Sequence, residues 1–510
     1  MRRSLLAAGT AATALATLSL GLAMPAAATG SHGGKGEPWV VREGVMRADA
    51  KDYRSLCKEK DGKAAVRTFP LFDGKKIKVV QDVLRRDENG TVYWSGHDPK
   101  HPGTSIAASV LGACGRGPVT LSGVAQMGFR QYQYDPLSKR PGWYSLQEID
   151  SLKLPPNGQG IDTLTEKKKH PKPPKPPKDS KRALQVATPE NPAGIDIVVA
   201  YTPATVTELG SVAAVQSRIE YGVNQLNRAF ASSNVPASVH VVNTYQTEPT
   251  GIPRESAGSL LDMIKDPANQ TLGAEAATAR QTYSADLVAL LASIPAEDSS
   301  GKADLPTPAT ATTDSQAFSV TSIYSVTGWE NLAHEIGHNF GLWHDRQTVV
   351  NNGGTPPPNT IHYGWITPNL QNHTIMAYDT PCRPQNCKVV NQYSNTENTF
   401  DGQPLGDEDN NNAAVAREST EIVAGYRASQ VTNRTSLTYS ADPAGGGTVR
   451  PSLFGPYDPN TQVTLTATSS EGFQFDGWTV DGVLQEGTTP QYQITMDTNH
   501  TVVARFSATG

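Results

Sequence analysis

The chain is poor in cysteine, with four in 510 residues, and poor in aromatic residues, at 7%. So few cysteines exclude a small fold stapled by many disulfides, and ordinary hydrophobic cores must do the folding. Charge of one sign is not in excess either: 44 Lys and Arg stand against 49 Asp and Glu, a net charge of -5. That balance argues against nucleic acid, or an anionic membrane, as a partner held by global charge. Beyond the first 28 residues no apolar run reaches the length of a membrane span, so no transmembrane helix is expected in a mature chain. What is present is globular, with 37% hydrophobic and 18% charged residues. The length predicts roughly three structural units.

The N-terminus is the exception to the lack of apolar runs. Arg2 and Arg3 precede an Ala/Leu-rich stretch from Leu5 to Leu22, and Ala26-Ala27-Ala28 follow. A charged start, an apolar middle and small residues at the end are the parts of a secretory signal peptide, here residues 1–28. A membrane anchor is the alternative and fits less well, because Thr and Gly dilute the stretch. The Arg pair raises a twin-arginine export route, although its surroundings depart from that consensus. The expected location is extracellular, an oxidising place where cysteines pair. Cys382 and Cys387 enclose a short loop and are expected to bond. Cys57 and Cys114 either bond to each other, or Cys114, in Ala113-Cys114-Gly115, is a thiolate that ligates and blocks a metal in an unprocessed precursor.

Residues 29–165 show short alternating runs and turn signals, such as Ile77-Lys78-Val79-Val80 and Thr91-Val92-Tyr93-Trp94, and predict a β-rich unit. Residues 166–189 contain a Lys/Pro-rich linker around Lys167–Lys178. Proline and like charge make such a stretch stiff and solvated, and its exposed Lys and Arg suit an activating cut. From 190 to 430 the pattern is α/β. Strands are predicted at Ile195–Tyr201, Val239–Tyr245, Ala285–Ala292 and Ala317–Tyr324. Helices are predicted at Ser211–Ser232 and near 258–265, 273–283 and 411–428. Ala317–Tyr324 is the expected edge strand, able to align an extended substrate by main-chain bonds. The last unit, 434–510, alternates as all-β around a core of Phe473, Phe475, Trp478 and Phe506.

One segment carries chemistry. Residues 334–345 read His-Glu-Ile-Gly-His-Asn-Phe-Gly-Leu-Trp-His-Asp. On a helix His334 and His338 share one face and can chelate one ion. A capping box at Thr327-Gly328-Trp329-Glu330 is expected to start that helix. Gly341 can take the left-handed conformation that ends it and brings round His344. Three neutral imidazoles leave one position open, as a catalytic zinc needs, and Glu335 stands beside the metal as general base. With 11 histidines in the chain, a bare His-Glu-x-x-His arises by chance in roughly one such sequence per hundred. The added Gly341 and His344 lower that several hundred-fold on the same arithmetic, at roughly that order.

Downstream stands Thr374-Ile375-Met376-Ala377-Tyr378. The extended motif and this methionine resemble the metzincin clan of zinc metallopeptidases, in which a Met-containing turn lies beneath the metal. The resemblance implies an α/β zincin-like catalytic domain with a mostly parallel twisted sheet and one catalytic Zn2+. It implies ligands His334, His338 and His344, base Glu335, a Met turn at Met376 and, from position, a β-rich propeptide. Asp345 after the third histidine resembles the reprolysin branch, where it supports the motif's end. Tyr378 resembles the tyrosine that astacins and serralysins place at the metal, and true reprolysins generally lack it. The early Ile195–Tyr201 strand and the Met-turn context are similar to bacterial reprolysin-like enzymes, including the peptidyl-Asp metallopeptidases. His362 and His373 flank the Met turn and read as loop histidines. Asp401, Asp407, Glu408 and Asp409 form an acidic run that could hold Ca2+, but their spacing matches no calcium loop.

Gly445–Val449, Val463–Ala467, Gly472–Trp478 and Val502–Phe506 resemble the divergent internalin B-repeat modules, which implies a C-terminal β-grasp-like module able to bind a surface or polymer. The expected function is a secreted zinc metalloendopeptidase made as a zymogen, with protein or peptide substrates. Two alternatives remain: a surface binding or adhesion protein with a vestigial zinc site, and a zinc hydrolase of non-peptide substrates.

Overall fold

A computed structural model describes residues 39–509 except 59, 61, 87–89, 138, 154–186, 253, 295–298, 353–354, 356–359, 383–386 and 488. The signal-peptide segment and the Lys/Pro run at 167–178 lie outside the described residues. The first part of the chain forms β1 (Val40–Arg47), α1 (Ala50–Arg54), β2 (Gly62–Lys63), β3 (Val66–Pro70), β4 (Lys76–Arg86) and β5 (Val92–Asp98). It continues with β6 (His101–Leu111), β7 (Thr120–Met127), β8 (Arg130–Pro136) and β9 (Trp143–Asp150). At Lys76-Ile77-Lys78-Val79 exposed lysines alternate with buried Ile77 and Val79, the period-two pattern of a sheet with one wet face. Strands β4 to β9 pair each with the next, antiparallel, and β1 closes on β9. Trp94, Ile106, Leu121, Tyr134 and Leu146 pack into their core. Cys57 and Cys114 are bonded within this unit.

An α/β unit follows: β10 (Ala193–Tyr201), α2 (Pro203–Leu209), α3 (Val212–Ser232), β11 (Ala237–Gln246), α4 (Ala257–Lys265), α5 (Leu272–Thr282) and β12 (Leu287–Ala292). After these come β13 (Gly301–Ala303), β14 (Phe318–Ser322), α6 (Asn331–Asn339) and α7 (Arg346–Asn351). Its sheet has the order β11-β10-β12-β14-β13. β12 is apolar and buried at every position because both faces are covered. Leu287, Ala289 and Leu291 join the core that holds α3 and α6, while Val288 and Leu290 join the one that holds α4 and α5. The short strands β15 (Asn372–Thr374), β16 (Lys388–Val390), β17 (Thr399–Phe400) and β18 (Gln403–Pro404) precede α8 (Asn412–Ala424).

The last part is all β: β19 (Leu437–Asp442), β20 (Gly447–Pro451), β21 (Thr461–Ser469), β22 (Phe473–Val480), β23 (Val483–Leu484), β24 (Gln491–Met496) and β25 (His500–Ala508). Trp478 and Phe506 are buried, with Phe473 and Phe475 packed against their cluster.

One expectation needs correction. The β structure is mostly antiparallel, because twelve strands lie in one antiparallel sheet. The five-stranded sheet has three parallel pairings and one antiparallel, β13 with β14. The large sheet also joins strands of the first and last parts of the chain. β4 pairs with β21, matching Leu84 to Gln462 and Val83 to Val463, and β2 pairs with β24. Among the described residues no helix is long and apolar enough to cross a membrane.

Candidate active site

α6 carries the motif, and every residue of it is buried. Its start differs from the expected capping box. Glu330 is the N-cap, with a left-handed backbone (φ 57°), and makes no side-chain capping bond. Its carboxylate instead accepts from Gln225 Nε2 of α3 at 2.8 Å. Burial pushes that carboxyl up to about 7. Thr327 is turned away from the helix and accepts from Arg218 at 2.8 Å. At the other end Gly341 has φ 84°, and its N–H bonds to His338 O at 2.8 Å while Leu342 N–H reaches Gly337 O at 3.2 Å. The helix therefore ends in the expected left-handed turn. Trp343 N–H then bonds to His362 O, and Gly364 N–H to Trp343 O, which fixes the strand-like segment that presents His344.

The three imidazoles converge. His344 Nε2 lies 3.1 Å from both His334 Nε2 and His338 Nε2. Nitrogens about 2.0–2.1 Å from one tetrahedral ion sit roughly 3.3 Å apart, so the set has the size of a zinc site. The other ring nitrogens are occupied: His334 Nδ1 bonds to Ile375 O and His338 Nδ1 to Leu342 O, each at 2.7 Å. Those bonds place the proton on Nδ1 and leave Nε2 as the donor atom for a metal. Burial lowers all three, His338 to about 4, which keeps them in the neutral, ligating form. Among the described residues this is the one group of His, Cys, Asp or Glu close enough to share an ion.

Glu335 lies beside the group, its Oε1 accepting from Asn331 Nδ2 at 3.0 Å. A Cβ on Gly301 of β13 would fall 2.3 Å from that oxygen, so a glycine is what lets the sheet edge approach the carboxylate. Beneath the helix, a Cβ on Gly337 would stand 2.7 Å from Met376 Sδ, which puts the Met turn directly under the motif. Asp345 joins the two. Its Oδ1 caps α7 by accepting from Thr348 N at 2.8 Å, and its Oδ2 accepts from Tyr378 N at 3.1 Å. The Tyr378 ring lies 4.5 Å from that of His344 and 5.6 Å from that of His334.

Other candidates serve the scaffold. His362 Nδ1 bonds to Gly341 O, and His373 Nδ1 to Thr374 O. Asp407 Oδ1 accepts from Asp409 N and Asn410 Nδ2, so it closes its own turn. Cys382 bonds to Cys387. Cys114, bonded to Cys57, does not offer a thiolate to the metal group. The sequence reading missed Gly301 and Asn331, which hold and approach Glu335. It also missed Asn339, whose amide donates to Asp304 O, Gln316 O and Phe318 O and fixes the helix to the sheet edge. The expected edge strand is corrected: β14 is paired on both sides, and the edge is β13.

An α/β sheet with a helix that presents two histidines and a glutamate, closed by a third histidine and a Met turn, defines a zinc-dependent peptidase. Comparison with known proteins agrees. Residues 191–391 match the family model of metallo-peptidase family M12, and residues 437–510 that of the divergent InlB B-repeat domain. The chain is a zinc metallopeptidase that carries an M12 domain followed by this repeat domain. It is 24% identical over 366 residues to a peptidyl-Asp metalloendopeptidase of Xanthomonas campestris pv. campestris, covering 69% of this chain and 78% of that one. It is 25% identical over 368 residues to a peptidyl-Asp metalloendopeptidase of Stenotrophomonas maltophilia, covering 69% and 81%. A solved metalloproteinase-II from Bacteroides fragilis is similar over 59% of this chain and 88% of its own, with 11% identity and a TM-score of 0.35.

Proposed function

We propose that the chain is a secreted endopeptidase in which His334, His338 and His344 hold one catalytic zinc ion and Glu335 is the general base. The observation that carries this reading is the convergence of three buried Nε2 atoms within 3.1 Å steps, with their Nδ1 partners supplied by the backbone for two of them. Zinc bound there supplies Lewis acidity and lowers the pKa of a coordinated water. Glu335 takes the proton of the attacking water and returns it to the leaving nitrogen. Asn331 holds its Oε1, so the carboxylate is aimed before substrate arrives. Substrate aligns along β13. On either side of that strand Asp304 N–H bonds to Phe318 O, and Ser300 O accepts from Ser322 N–H. By alternation Gly301 and Ala303 turn their main-chain groups outward, to the free edge.

Export follows from residues 1–28, and the N-terminal β unit with the Lys/Pro linker is the part of a precursor that a cut would separate. The relatives' names make peptides containing aspartate the first substrates to try. The test is Glu335→Ala in the secreted full chain, with casein and an aspartate-containing peptide library. Hydrolysis should fall by about 10²–10⁴-fold or more while one zinc per chain is retained. Undiminished, chelator-resistant hydrolysis in that variant contradicts the assignment. Zinc retention with no hydrolysis by the unmutated, processed chain returns the adhesion reading.

A further inference from the structure

The N-terminal unit and the C-terminal module meet at a seam built like a core. β4 and β21 pair as strands, and β2 pairs with β24. Three amides, one from the first unit and two from the last, are buried and satisfy one another. Gln81 Nε2 donates to Gln493 Oε1 at 2.8 Å and to Gln462 Oε1 at 3.2 Å, and Gln493 Nε2 donates to Gln462 Oε1 at 2.8 Å. The Gln81 oxygen is taken by Trp94 Nε1. Thr464 Oγ1 donates to Gln81 O at 2.6 Å, and Ser452 Oγ to Asp82 O at 2.8 Å. Val83, a residue of β4, is counted in the hydrophobic cluster of the module with Val463, Leu465 and Ile494.

Separating these surfaces would break both bonds donated by Gln81 Nε2 and those from Thr464 and Ser452 to the β4 backbone, and polar groups matched this closely characterise permanent contacts rather than passing ones. The N-terminal unit has a second contact, with α3, where Ala107 and Val124 join the apolar cluster of Val215 and Ile219 and ion pairs link Arg85 to Glu220 at 2.7 Å and Arg218 to Asp135 at 3.4 Å. No disulfide ties the unit to the rest, since each joins residues within one part.

We infer that the C-terminal module is the holder of the N-terminal unit, so that a cut in the linker yields a two-chain, non-covalent complex rather than a released propeptide. The module's partner is then the severed N-terminal unit of its own chain, and removal of 437–510, not the linker cut, is what sets that unit free. The inference rests on the proposed cut for its occasion, while the contacts themselves do not depend on catalysis.

The experiment uses the full chain in a Glu335→Ala background, with a site for a specific foreign protease placed in 167–182. After complete cleavage in native buffer the two fragments should leave a sizing column together, at the elution of the uncut chain. Gln462→Leu with Thr464→Val should raise the free N-terminal fragment at least about ten-fold, the step expected for the loss of one strong contact. Uncut variant chain must melt cooperatively and keep its zinc, which shows that it folds. Separation of the unmutated fragments overturns the inference. So does release by Arg218→Ala but not by the seam variant, which would make α3 the holder. Casein hydrolysis, measured on the Glu335 chain before and after the same cut, tests the precursor reading separately, because association is read without activity.

Discussion

Asp345 takes part in two bonds at the end of the motif, and both are within reach of substitution. Its Oδ1 caps α7 and its Oδ2 holds Tyr378 N–H. Asp345→Ala removes a cap, worth about 1 kcal/mol, and leaves a buried N–H without its acceptor, worth about 1–3 kcal/mol. The variant should therefore be about 2–4 kcal/mol less stable in urea unfolding, on the sum of those two effects. Its zinc affinity should fall by about 10–100-fold, as for other groups that hold a metal site in place. Asp345→Asn keeps one oxygen and should fall between. A variant that unfolds and binds zinc like the original would show the tie to be idle. Gly341 makes a sharper case. Its φ of 84° is costly for any residue with a side chain, and an added Cβ would stand 2.9 Å from Pro306 O. Gly341→Ala should lose about 1–2 kcal/mol from backbone conformation alone, read as a lowered Tm. An unchanged Tm would mean that the turn relaxes freely.

At the scale of elements the edge strand decides how substrate is read. β13 is three residues long, and since Ser300 and Asp304 bond to β14, alternation turns the main-chain groups of Ala303 outward. Proline is tolerated at an outward N–H of an edge strand. Ala303→Pro should thus leave Tm near its original value and raise KM about 2–10-fold, the effect of one lost hydrogen bond. A lower Tm with unchanged KM would place the donor on the sheet side instead. Much of this layer was legible in the sequence. β10, β11, β12, β14, α3, α4, α5 and α8 lie where apolar periodicity put them, because each buries a face that its pattern declares. β13 escaped, since Gly301-Lys302-Ala303 carries no alternation to read and its strand conformation is imposed by β14. The start of α6 also escaped. A capping box is a local signal, and here Thr327 is claimed by Arg218, and the N-cap falls to a left-handed Glu330. The metal group was legible because its spacing is itself the chemistry. Gly301 and Asn331 were not, because their nearness to Glu335 is a property of packing.

The whole molecule holds a further layer that no local pattern could announce. Gln81 and Gln462 sit 381 positions apart and read singly as polar residues of ordinary strands, yet they are buried against each other. A comparable joint ties the module to the α/β unit. Arg434 bridges Asp196, at 2.6 Å, and Asp458, at 3.1 Å, while Asp458 lies 3.3 Å from His240. Burial by itself would push the Asp458 carboxyl up, but His240, then Arg434 and Arg85, outweigh it and hold it well below the usual carboxylate range. About a third of the side chain remains exposed, so solvent moderates the effect. The sign is that of a depressed acid: the unfolded chain, with a carboxyl near about 3.9, binds the proton first. The stability contributed by Asp458 is present above about pH 4 and drains away as pH falls through and below that value. Asp458→Asn lacks the charge at every pH, so it should be less stable than the original near neutrality. The gap in Tm should narrow as pH falls below about 4, because the unfolded original chain takes up a proton there that the folded carboxylate does not. Zinc loss in acid affects both chains alike and cancels in the difference. Hydrogen exchange over 434–510 should show the same convergence, localised to the module. A gap that stays constant across the range would mean that Asp458 acts through shape, and that the ionic joint is not what makes the module's docking sensitive to acid.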